Sequence, residues 1–192
     1  MKKIILSLVI FCVSISLLSA QTEWKLDKAH SAITFTVRHM LISDVSGNFK
    51  NFTVALKSDK EDFSDATVES VIQVASINTD NEYRDKHLQS DDFFNSEKFP
   101  DIRFKSTSFE KSGENRYKIK GNLSIRDVTK DVTFDAVLQG TLKTNRGLLS
   151  AWKASIIIDR FDYNLKWNKT METGGLIVGQ DVTINLNLEL IK

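Results

Sequence analysis

Strict alternation of apolar and polar residues is the feature that most constrains how this chain can fold. Ile33, Phe35 and Val37 are separated by Thr34 and Thr36. The same period of two recurs at residues 44–56, 117–125, 132–138 and 182–190. Because successive side chains of a β-strand point to opposite faces of its sheet, this period predicts strands with one buried face. The sequence therefore predicts a mainly β protein.

The connections between the predicted strands decide the type of sheet. No long amphipathic helix separates successive strands, which argues against a parallel sheet of βαβ units and leaves an antiparallel barrel or sandwich. The apolar phase slips by one residue between Phe49 and Phe52, which indicates a bend near Lys50 and Asn51 of the kind that curved sheets need. We predict an antiparallel β-barrel of about eight strands, whose interior is either filled by side chains or holds one slender ligand.

Residues 76–104 interrupt the alternation and predict a short helical insertion near 80–95. Thr79 with Glu82 three residues later forms a capping-box pattern, so a helix is predicted to begin at Asp80. Ser90, followed by two aspartates, predicts a second helix start. Pro100 ends the insertion before the next strand. We expect the insertion to cover one end of the barrel as a plug or lid.

The N-terminus has the pattern of a targeting segment. Lys2 and Lys3 precede an apolar run that ends in the small pair Ser19-Ala20, which predicts a signal peptide over residues 1–20. The run contains serines and is shorter than the roughly 20 apolar residues of a membrane span, so an anchor is the weaker alternative. We expect residues 21–192 to form one exported domain that is periplasmic or secreted.

Composition argues against nucleic-acid binding and against cysteine chemistry. The net charge is +1, and removal of Lys2 and Lys3 leaves the chain close to neutral, whereas a nucleic-acid binder would show a basic face. The single cysteine, Cys12, lies in the predicted signal peptide. The domain therefore offers no disulfide, thiol nucleophile or thiolate metal ligand, and its core alone must hold the fold.

The histidines do not form a recognised metal or catalytic pattern. His30, His39 and His87 are the three histidines, and their scattered spacing argues against a zinc site, so no metal or other cofactor is predicted. Asp27, His30 and Ser31 are the residue types of a nucleophilic triad. Their crowding makes mutual hydrogen bonding awkward, and no nucleophile-elbow motif surrounds Ser31. No catalytic residue is assigned.

An ordered set of short motifs runs along nearly all of the predicted domain. In chain order they are Trp24-x-x-Asp27-x-x-His30-Ser31, Phe35-x-Val37-x-His39-Met40, Val45-x-Gly47-x-Phe49, Ser76-Ile77-x-Thr79, Arg84-Asp85-x-His87-Leu88, Asp92-Phe93-Phe94, Phe99-Pro100-x-Ile102-x-Phe104, Gly121-x-Leu123, Val128-Thr129-Lys130 and Asp159-Arg160-Phe161-Asp162-Tyr163. With this set the chain resembles the YceI-like family of secreted bacterial polyisoprenoid-binding proteins, which are lipocalin-like antiparallel barrels. Each motif alone would be weak, but the ordered set is specific.

The chain departs from the family pattern at a few positions. Asp127 stands where the family usually has Gly after an Ile-Arg pair, and Asp131 stands where it usually has Pro after Thr-Lys. Both lie in a predicted hairpin turn, so they bear on the turn geometry more than on the site. Tyr163 and Asn164 replace a common Phe-Gly pair and bear on the shape of that loop.

The resemblance implies an elongated apolar tunnel that holds a long prenyl chain, such as an isoprenoid quinone or a polyprenyl phosphate, for storage or transport. Each buried methylene contributes about 0.8 kcal/mol, and an exposed ion pair contributes about 0–1 kcal/mol. We therefore expect the tail to supply affinity and charged residues near the mouth to orient the head group. The predicted tail contacts are Phe35, Val37, Phe49, Phe93, Phe94, Phe104 and Phe134.

The predicted head-group residues are His39, Arg84, His87 and Arg160, and each also has a structural interpretation. The histidines could bond a buried carbonyl or carboxylate, and Arg84 could pair with Asp80 or pin the helix across the barrel end. Arg160, at the end of a predicted strand, could instead form a surface or hairpin salt bridge.

Two other classes of function stay open on the sequence alone. A secreted hydrolase or isomerase could use His39 or His87 as acid or base, and a barrel packed solid would suit an interaction protein. Gly121 and Ala136 lie on the apolar phase, and small inward residues would leave space inside the barrel. The sequence also leaves open a transient membrane contact and a homodimer.

Overall fold

The computed structural model describes residues 21–170 and 174–192, so the predicted signal peptide lies outside the described residues. The strands are β1 (Glu23–Leu26), β2 (Ala32–His39), β3 (Ser43–Phe49), β4 (Phe52–Lys57), β5 (Thr67–Gln73), β6 (Ile77–Asn78), β7 (Asp101–Gly113), β8 (Arg116–Ile125), β9 (Val128–Thr144), β10 (Gly147–Asp159) and β11 (Val178–Ile191). The α-helix is α1 (Glu82–Gln89), and 3₁₀ turns cover Lys28–His30, Val74–Ser76 and Arg160–Tyr163.

These strands close into an antiparallel barrel of eight barrel strands, which confirms the predicted fold class. The first three barrel strands each consist of two pieces, because β1 continues into β2, β3 into β4, and β5 into β6. β11 closes the barrel, since it pairs with both β1 and β2. Barrel strands that are consecutive in the chain are also neighbours in the sheet, as is typical of an antiparallel barrel.

The breaks in the second and third barrel strands lie side by side. Phe49 ends β3 and Phe52 begins β4, which confirms the predicted bend near Lys50 and Asn51. The Lys50 N–H donates to the Ser76 carbonyl oxygen at 3.0 Å, and the Asn51 N–H donates to the Ser76 hydroxyl at 3.0 Å. The sheet therefore turns a corner here while Phe49 and Phe52 both stay buried.

One end of the barrel is packed solid by aromatic side chains, and we call it the floor. Phe63, in the loop between β4 and β5, is fully buried, and its ring centroid lies 5.1 Å from that of Trp24 and 4.9 Å from that of Trp152. The Tyr117 hydroxyl donates to the carbonyl oxygen of Asp62 at 3.0 Å and fastens this loop. Because aromatic side chains bury large apolar areas, the floor closes this end to water.

The opposite end is covered by α1 and residues 90–99, which together we call the lid. The helix starts at Glu82 rather than at the predicted Asp80, since Asn81 is the N-cap and its side chain accepts the Arg84 N–H at 2.9 Å. The capping-box prediction is wrong because the Thr79 hydroxyl donates instead to Asp85 Oδ1 at 2.6 Å. The insertion itself is where the sequence predicts it.

The second helix predicted from Ser90 does not form. Ser90 follows the last residue of α1, and its hydroxyl donates to the His87 carbonyl oxygen at 2.8 Å. The same side chain that could begin a helix therefore ends one. Turns follow over residues 91–94 and bring Phe93 and Phe94 back towards the barrel interior.

Gly121 does not provide the internal space that the sequence suggests. A Cβ atom at this position would lie 2.7 Å from Phe104 Cζ and 2.4 Å from the Lys105 carbonyl oxygen. The missing side chain therefore makes room for the Phe104 ring. Free space inside the barrel lies elsewhere, between the floor and the lid.

Candidate ligand-binding cavity

An apolar cavity of about 180 Å³ lies between the floor and the lid. Its wall consists of inward side chains from the barrel strands together with Leu88, Phe93 and Phe94 of the lid. Among the described residues, Ser70 and Arg160 are the polar members of a wall that is otherwise aliphatic and aromatic. A concave apolar surface with few polar groups is typical of a small-molecule site.

The residues predicted to contact a prenyl tail all line this cavity. Phe35, Val37, Phe49, Phe104 and Phe134 lie on strands, and strand alternation directs their side chains inward, whereas Phe93 and Phe94 come from the lid. Their contact with a ligand stays a prediction. The neighbouring ring pairs have centroid distances of 5.7 Å for Phe35 and Phe49, 6.4 Å for Phe49 and Phe94, and 5.0 Å for Phe104 and Phe134.

Arg160 is the one predicted head-group residue that lines the cavity. It is 3% exposed, so the surface salt bridge considered for it does not form. Its guanidinium donates to the carbonyl oxygens of Gly179 at 2.8 Å, Trp167 at 2.9 Å and Val178 at 3.1 Å, and also to that of Leu165. Burial lowers the pKa of Arg160, although Asp159 opposes this effect. Arg160 thus joins Leu165 and Trp167 to the start of β11.

Arg84 holds the start of α1 and does not line the cavity. Its Nε donates to the Thr79 hydroxyl at 2.8 Å, and its Nη2 donates to the Thr79 carbonyl oxygen at 2.7 Å. Asp85 accepts from both the Thr79 N–H and the Thr79 hydroxyl. Arg84 and Asp85 therefore order the connection between β6 and α1, with Thr79 rather than Asp80 as the partner of Arg84.

The two predicted head-group histidines also lie outside the cavity wall. His87 Nε2 lies 3.0 Å from Asp92 Oδ2, and the His87 ring packs edge-on against Phe93 and Trp167, with centroids 5.1 Å away in both cases. His39 ends β2, and its carbonyl oxygen accepts the Ser43 hydroxyl at 3.3 Å. The structure therefore does not gather the four predicted head-group residues around one point of the cavity wall.

Sequence reasoning missed Arg126, which joins the lid to the barrel. Its Nη1 donates to the carbonyl oxygen of Phe93 at 2.6 Å and to those of Asp91 and Asn164, both at 3.3 Å. Arg126 lies in the turn between β8 and β9 with a positive φ of 53°. The sequence signal was the Ile-Arg pair at a hairpin turn, but carbonyl partners in distant segments leave no pattern in the sequence.

A separate polar cluster lies at the junction of β1 and β2. His30 Nδ1 lies 3.2 Å from Asp27 Oδ2 and 3.5 Å from Glu189 Oε2. The 3₁₀ turn at Lys28–His30 brings Asp27 and His30 together. The expectation that crowding hinders hydrogen bonding is therefore wrong for this pair. The hydrogen bond from His30 is the main reason why the pKa of Asp27 is lowered.

This cluster has the residue types of a metal site, but its contacts fit an ion-pair network. Arg146 Nη2 lies 3.2 Å from the same Asp27 oxygen that contacts His30, so a cation already occupies the position next to that oxygen. The Ser31 hydroxyl accepts the Glu189 N–H at 2.9 Å, which ties the triad candidate Ser31 to the backbone. None of these residues lines the cavity.

The family model for the YceI-like domain matches residues 24–190, which include every strand except the last residue of β11 and the first of β1. The chain belongs to the YceI-like family. A UPF0312 protein of Staphylococcus aureus strain MRSA252 is 36% identical over 170 residues, which are 88% of this chain and 96% of that protein. A UPF0312 protein of strain MSSA476 is 35% identical over the same length and shares.

Solved structures show the same YceI-like barrel. A YCEI protein of Campylobacter jejuni has a TM-score of 0.70 and 32% identity, covering 89% of this chain and 98% of that one. BcnA of Burkholderia cenocepacia has a TM-score of 0.75 at 22% identity, covering 85% of this chain and 98% of BcnA. A polyisoprenoid binding domain of Saccharophagus degradans, implicated in plant cell wall breakdown, has a TM-score of 0.67 at 14% identity, over 88% and 97%.

In residues 21–170 and 174–192, we find no helix with the length and apolar character that crossing a membrane requires.

Proposed function

We propose that this chain is a non-catalytic carrier or store for a prenyl lipid, which it holds in the cavity between floor and lid. The observation that carries this proposal is the cavity wall, where the predicted tail-contacting residues meet and carbon atoms dominate. The Saccharophagus degradans neighbour, a polyisoprenoid binding domain, supports the same ligand class. The membership of the YceI-like family agrees with a binding role.

The size of the cavity limits what it holds without rearrangement. An engineered protein cavity of about 150 Å³ accommodates benzene, and the cavity here measures about 180 Å³. A ring or a short piece of prenyl chain fits this volume, and a longer tail requires the lid to shift. Since each methylene that enters contributes about 0.8 kcal/mol, a long tail offers enough free energy to drive that shift.

The charges near the cavity favour a head group that is not strongly anionic. Arg160 is the one cation in the cavity wall among the described residues, and four carbonyl oxygens already accept from it. A guanidinium has five N–H groups, so little capacity is left for a diphosphate. An isoprenoid quinone therefore suits this cavity better than a polyprenyl phosphate does.

A hydrolase or isomerase is the less suitable function for this cavity. General acid–base catalysis requires a titratable group within hydrogen-bonding reach of the substrate. His39 and His87 do not line the cavity, and His87 is engaged with Asp92. A turnover of prenyl lipid that His87→Ala abolishes would favour the enzyme instead.

The proposal places the protein in the periplasm or outside the cell, in transient contact with the membranes that contain its lipid. Met40, Leu41 and Ile42 form the turn between β2 and β3 and are 43%, 64% and 84% exposed. The Met40 N–H donates to the carbonyl oxygen of Ile177, and the next residue, Val178, lines the cavity. This apolar turn at the lid end is suited to touch a bilayer during lipid exchange.

Leu41→Ser with Ile42→Ser should then reduce co-sedimentation of the protein with phosphatidylglycerol vesicles, and unchanged co-sedimentation would contradict the contact.

The direct test is to purify the protein from its expression host, extract it with organic solvent and identify bound lipids by mass spectrometry. We expect prenyl lipid in the extract, or saturable uptake of added isoprenoid quinone by the delipidated protein. N-terminal sequencing of the exported protein would test cleavage after Ala20. Absence of both bound and added prenyl lipid would contradict the proposed function.

A further inference from the structure

Ser70 is an exception in the cavity wall that prenyl-tail burial does not explain. It lies on β5 between Val68 and Ile72, and all three side chains line the cavity. Ser70 is 9% exposed, and its hydroxyl oxygen has no hydrogen-bond partner among the described residues. A buried hydroxyl without a partner is unfavourable, and alanine or valine would fit this inward series without that cost.

Neither the part of the chain that the structure describes nor a water molecule is suited to satisfy this hydroxyl. The strand partners of Ser70 in the register are Val54 and Phe104, whose side chains are apolar. An ordered internal water needs two to four polar partners, and the other polar residue of the wall, Arg160, already donates to carbonyl oxygens. The hydroxyl is therefore free for a polar atom of a ligand.

The strand register places Ser70 and Arg160 towards opposite ends of the cavity. Val68 and Phe104, next to Ser70 along and across the sheet, also pack against the aromatic cluster of the floor. Arg160 follows the lid-side end of β10, while Trp152 of the same strand belongs to the floor. A lipid whose polar group met only the lid end would leave Ser70 without a partner.

We propose that the Ser70 hydroxyl hydrogen-bonds to an oxygen of an uncharged prenylated ring, a quinone or a phenol, that lies ring-first on the floor with its tail towards the lid. This inference rests on the proposed function and specifies its ligand. The volume of about 180 Å³ matches a single ring. The ring must be uncharged, because none of the described residues places a cation in the wall near the floor end to compensate a buried phosphate or carboxylate.

The test compares two probes on delipidated protein: ubiquinone with a four-isoprene tail, whose head group is a single ring, and phytane, a saturated hydrocarbon with the same number of isoprene units. We expect Ser70→Ala to weaken ubiquinone binding by about three- to tenfold, the range for one neutral hydrogen bond. Phytane binding should stay within twofold. Ser108→Ala is the matched control, because the Ser108 hydroxyl lies on the outer face of β7 and donates to Glu110.

Infrared spectroscopy adds a readout that a merely structural role would not change. In the wild type, one quinone carbonyl stretch should lie at lower frequency than in hydrocarbon solvent, and Ser70→Ala should restore the solvent value. Equal weakening of both probes, or no weakening with an unshifted carbonyl band, would overturn the inference while the proposed function stands. If the wild type bound neither probe, the proposed function would fail and this inference with it.

Discussion

At the scale of single residues, hydrogen-bond partners decide what each buried polar group does. Arg160 and Arg126 are tied to backbone carbonyl oxygens, so they hold segments in place. The hydroxyls of Ser70 and Tyr163 are buried without a partner among the described residues. Ser70 lines the cavity, whereas Tyr163 packs in the core beside it. We therefore expect removal of the Ser70 hydroxyl to weaken ligand binding. Removal of the Tyr163 hydroxyl should leave the free energy of unfolding unchanged or raise it.

The Tyr163 hydroxyl should contribute nothing to stability. Tyr163 is 1% exposed, and burial raises its pKa from 10.0 to about 12. We expect Tyr163→Phe to leave the free energy of unfolding unchanged or to raise it by up to about 1 kcal/mol at pH 7, because an unsatisfied buried hydroxyl is removed. Urea titration measures this. A loss above about 1 kcal/mol would show that the hydroxyl has a partner.

The same residue predicts a pH dependence. The unfolded chain ionises Tyr163 near pH 10, while the folded chain keeps it neutral until about pH 12. Below pH 10 Tyr163 is neutral in both states and its ionisation costs no stability, whereas the folded state loses stability relative to the unfolded state as the pH rises from 10 through about 12. The free energy of unfolding of Tyr163→Phe should therefore fall less than that of the wild type between pH 10 and about pH 12.

At the scale of elements, the floor loop between β4 and β5 depends on one carboxylate. Burial would raise the pKa of Asp65, but hydrogen bonds from the Ser58 hydroxyl and from the N–H groups of Asp59 and Lys60 outweigh it and lower the pKa to about 2. Since Ser58 is fully buried, this network positions the loop that carries Phe63.

We expect Asp65→Asn to lower the free energy of unfolding by about 1–3 kcal/mol at pH 7, the range for hydrogen bonds to a charged group. The wild-type contribution is complete above pH 3.8 and is lost as the pH falls through about 2, because the unfolded carboxylate binds its proton first. Denaturant titrations from pH 7 to pH 2 measure both effects. Exposed Asp131→Asn is the control, and equal effects of the two substitutions would contradict the role of Asp65.

The lid is the element whose movement should limit ligand exchange. Arg126 fastens it through the carbonyl oxygens of Asp91 and Phe93. We expect Arg126→Ala to speed release of a fluorescent prenyl probe by about tenfold or more, since loss of about 1.4 kcal/mol from the closed state already changes an equilibrium tenfold. Stopped-flow displacement measures the rate. Arg103→Ala, which removes an exposed ion pair with Asp101, is the control. Equal release rates for Arg126→Ala and Arg103→Ala would contradict the role of Arg126 in holding the lid.

At the scale of the whole molecule, the sequence predicts the parts that follow from local period. Alternation predicts the strands and the inward direction of Phe35, Phe104 and Phe134, and the phase slip predicts the bend near Asn51. The interruption of this alternation over residues 76–104, with its helix-start signals, predicts the lid. Burial of apolar side chains enforces these features at each position, so each leaves a pattern in the sequence.

The sequence does not predict how polar side chains are used. The helix starts at Glu82 rather than at Asp80, because the Thr79 hydroxyl donates to Asp85 and Asn81 serves as the N-cap. The buried role of Arg160 depends on carbonyl oxygens of a separate segment. Backbone carbonyls are the same in every residue, so such partners have no sequence signature. For the same reason, the free hydroxyl of Ser70 is visible only once its surroundings are known.

Central to this account is a barrel that is solid at the floor and hollow beneath the lid. Ala154→Phe tests it most directly, because Ala154 lines the cavity and a phenylalanine there would enter the void. Lys153→Phe, on the outer face of the same strand, is the matched control. The measurement is isoprenoid quinone binding together with the free energy of unfolding of each variant.

We predict that Ala154→Phe reduces quinone binding more than tenfold while the free energy of unfolding falls by less than about 1 kcal/mol, since overpacking a filled core would cost about 1–3 kcal/mol. Lys153→Phe should leave quinone binding unchanged. Full quinone binding by Ala154→Phe would contradict the account, and so would a loss of stability typical of a filled core.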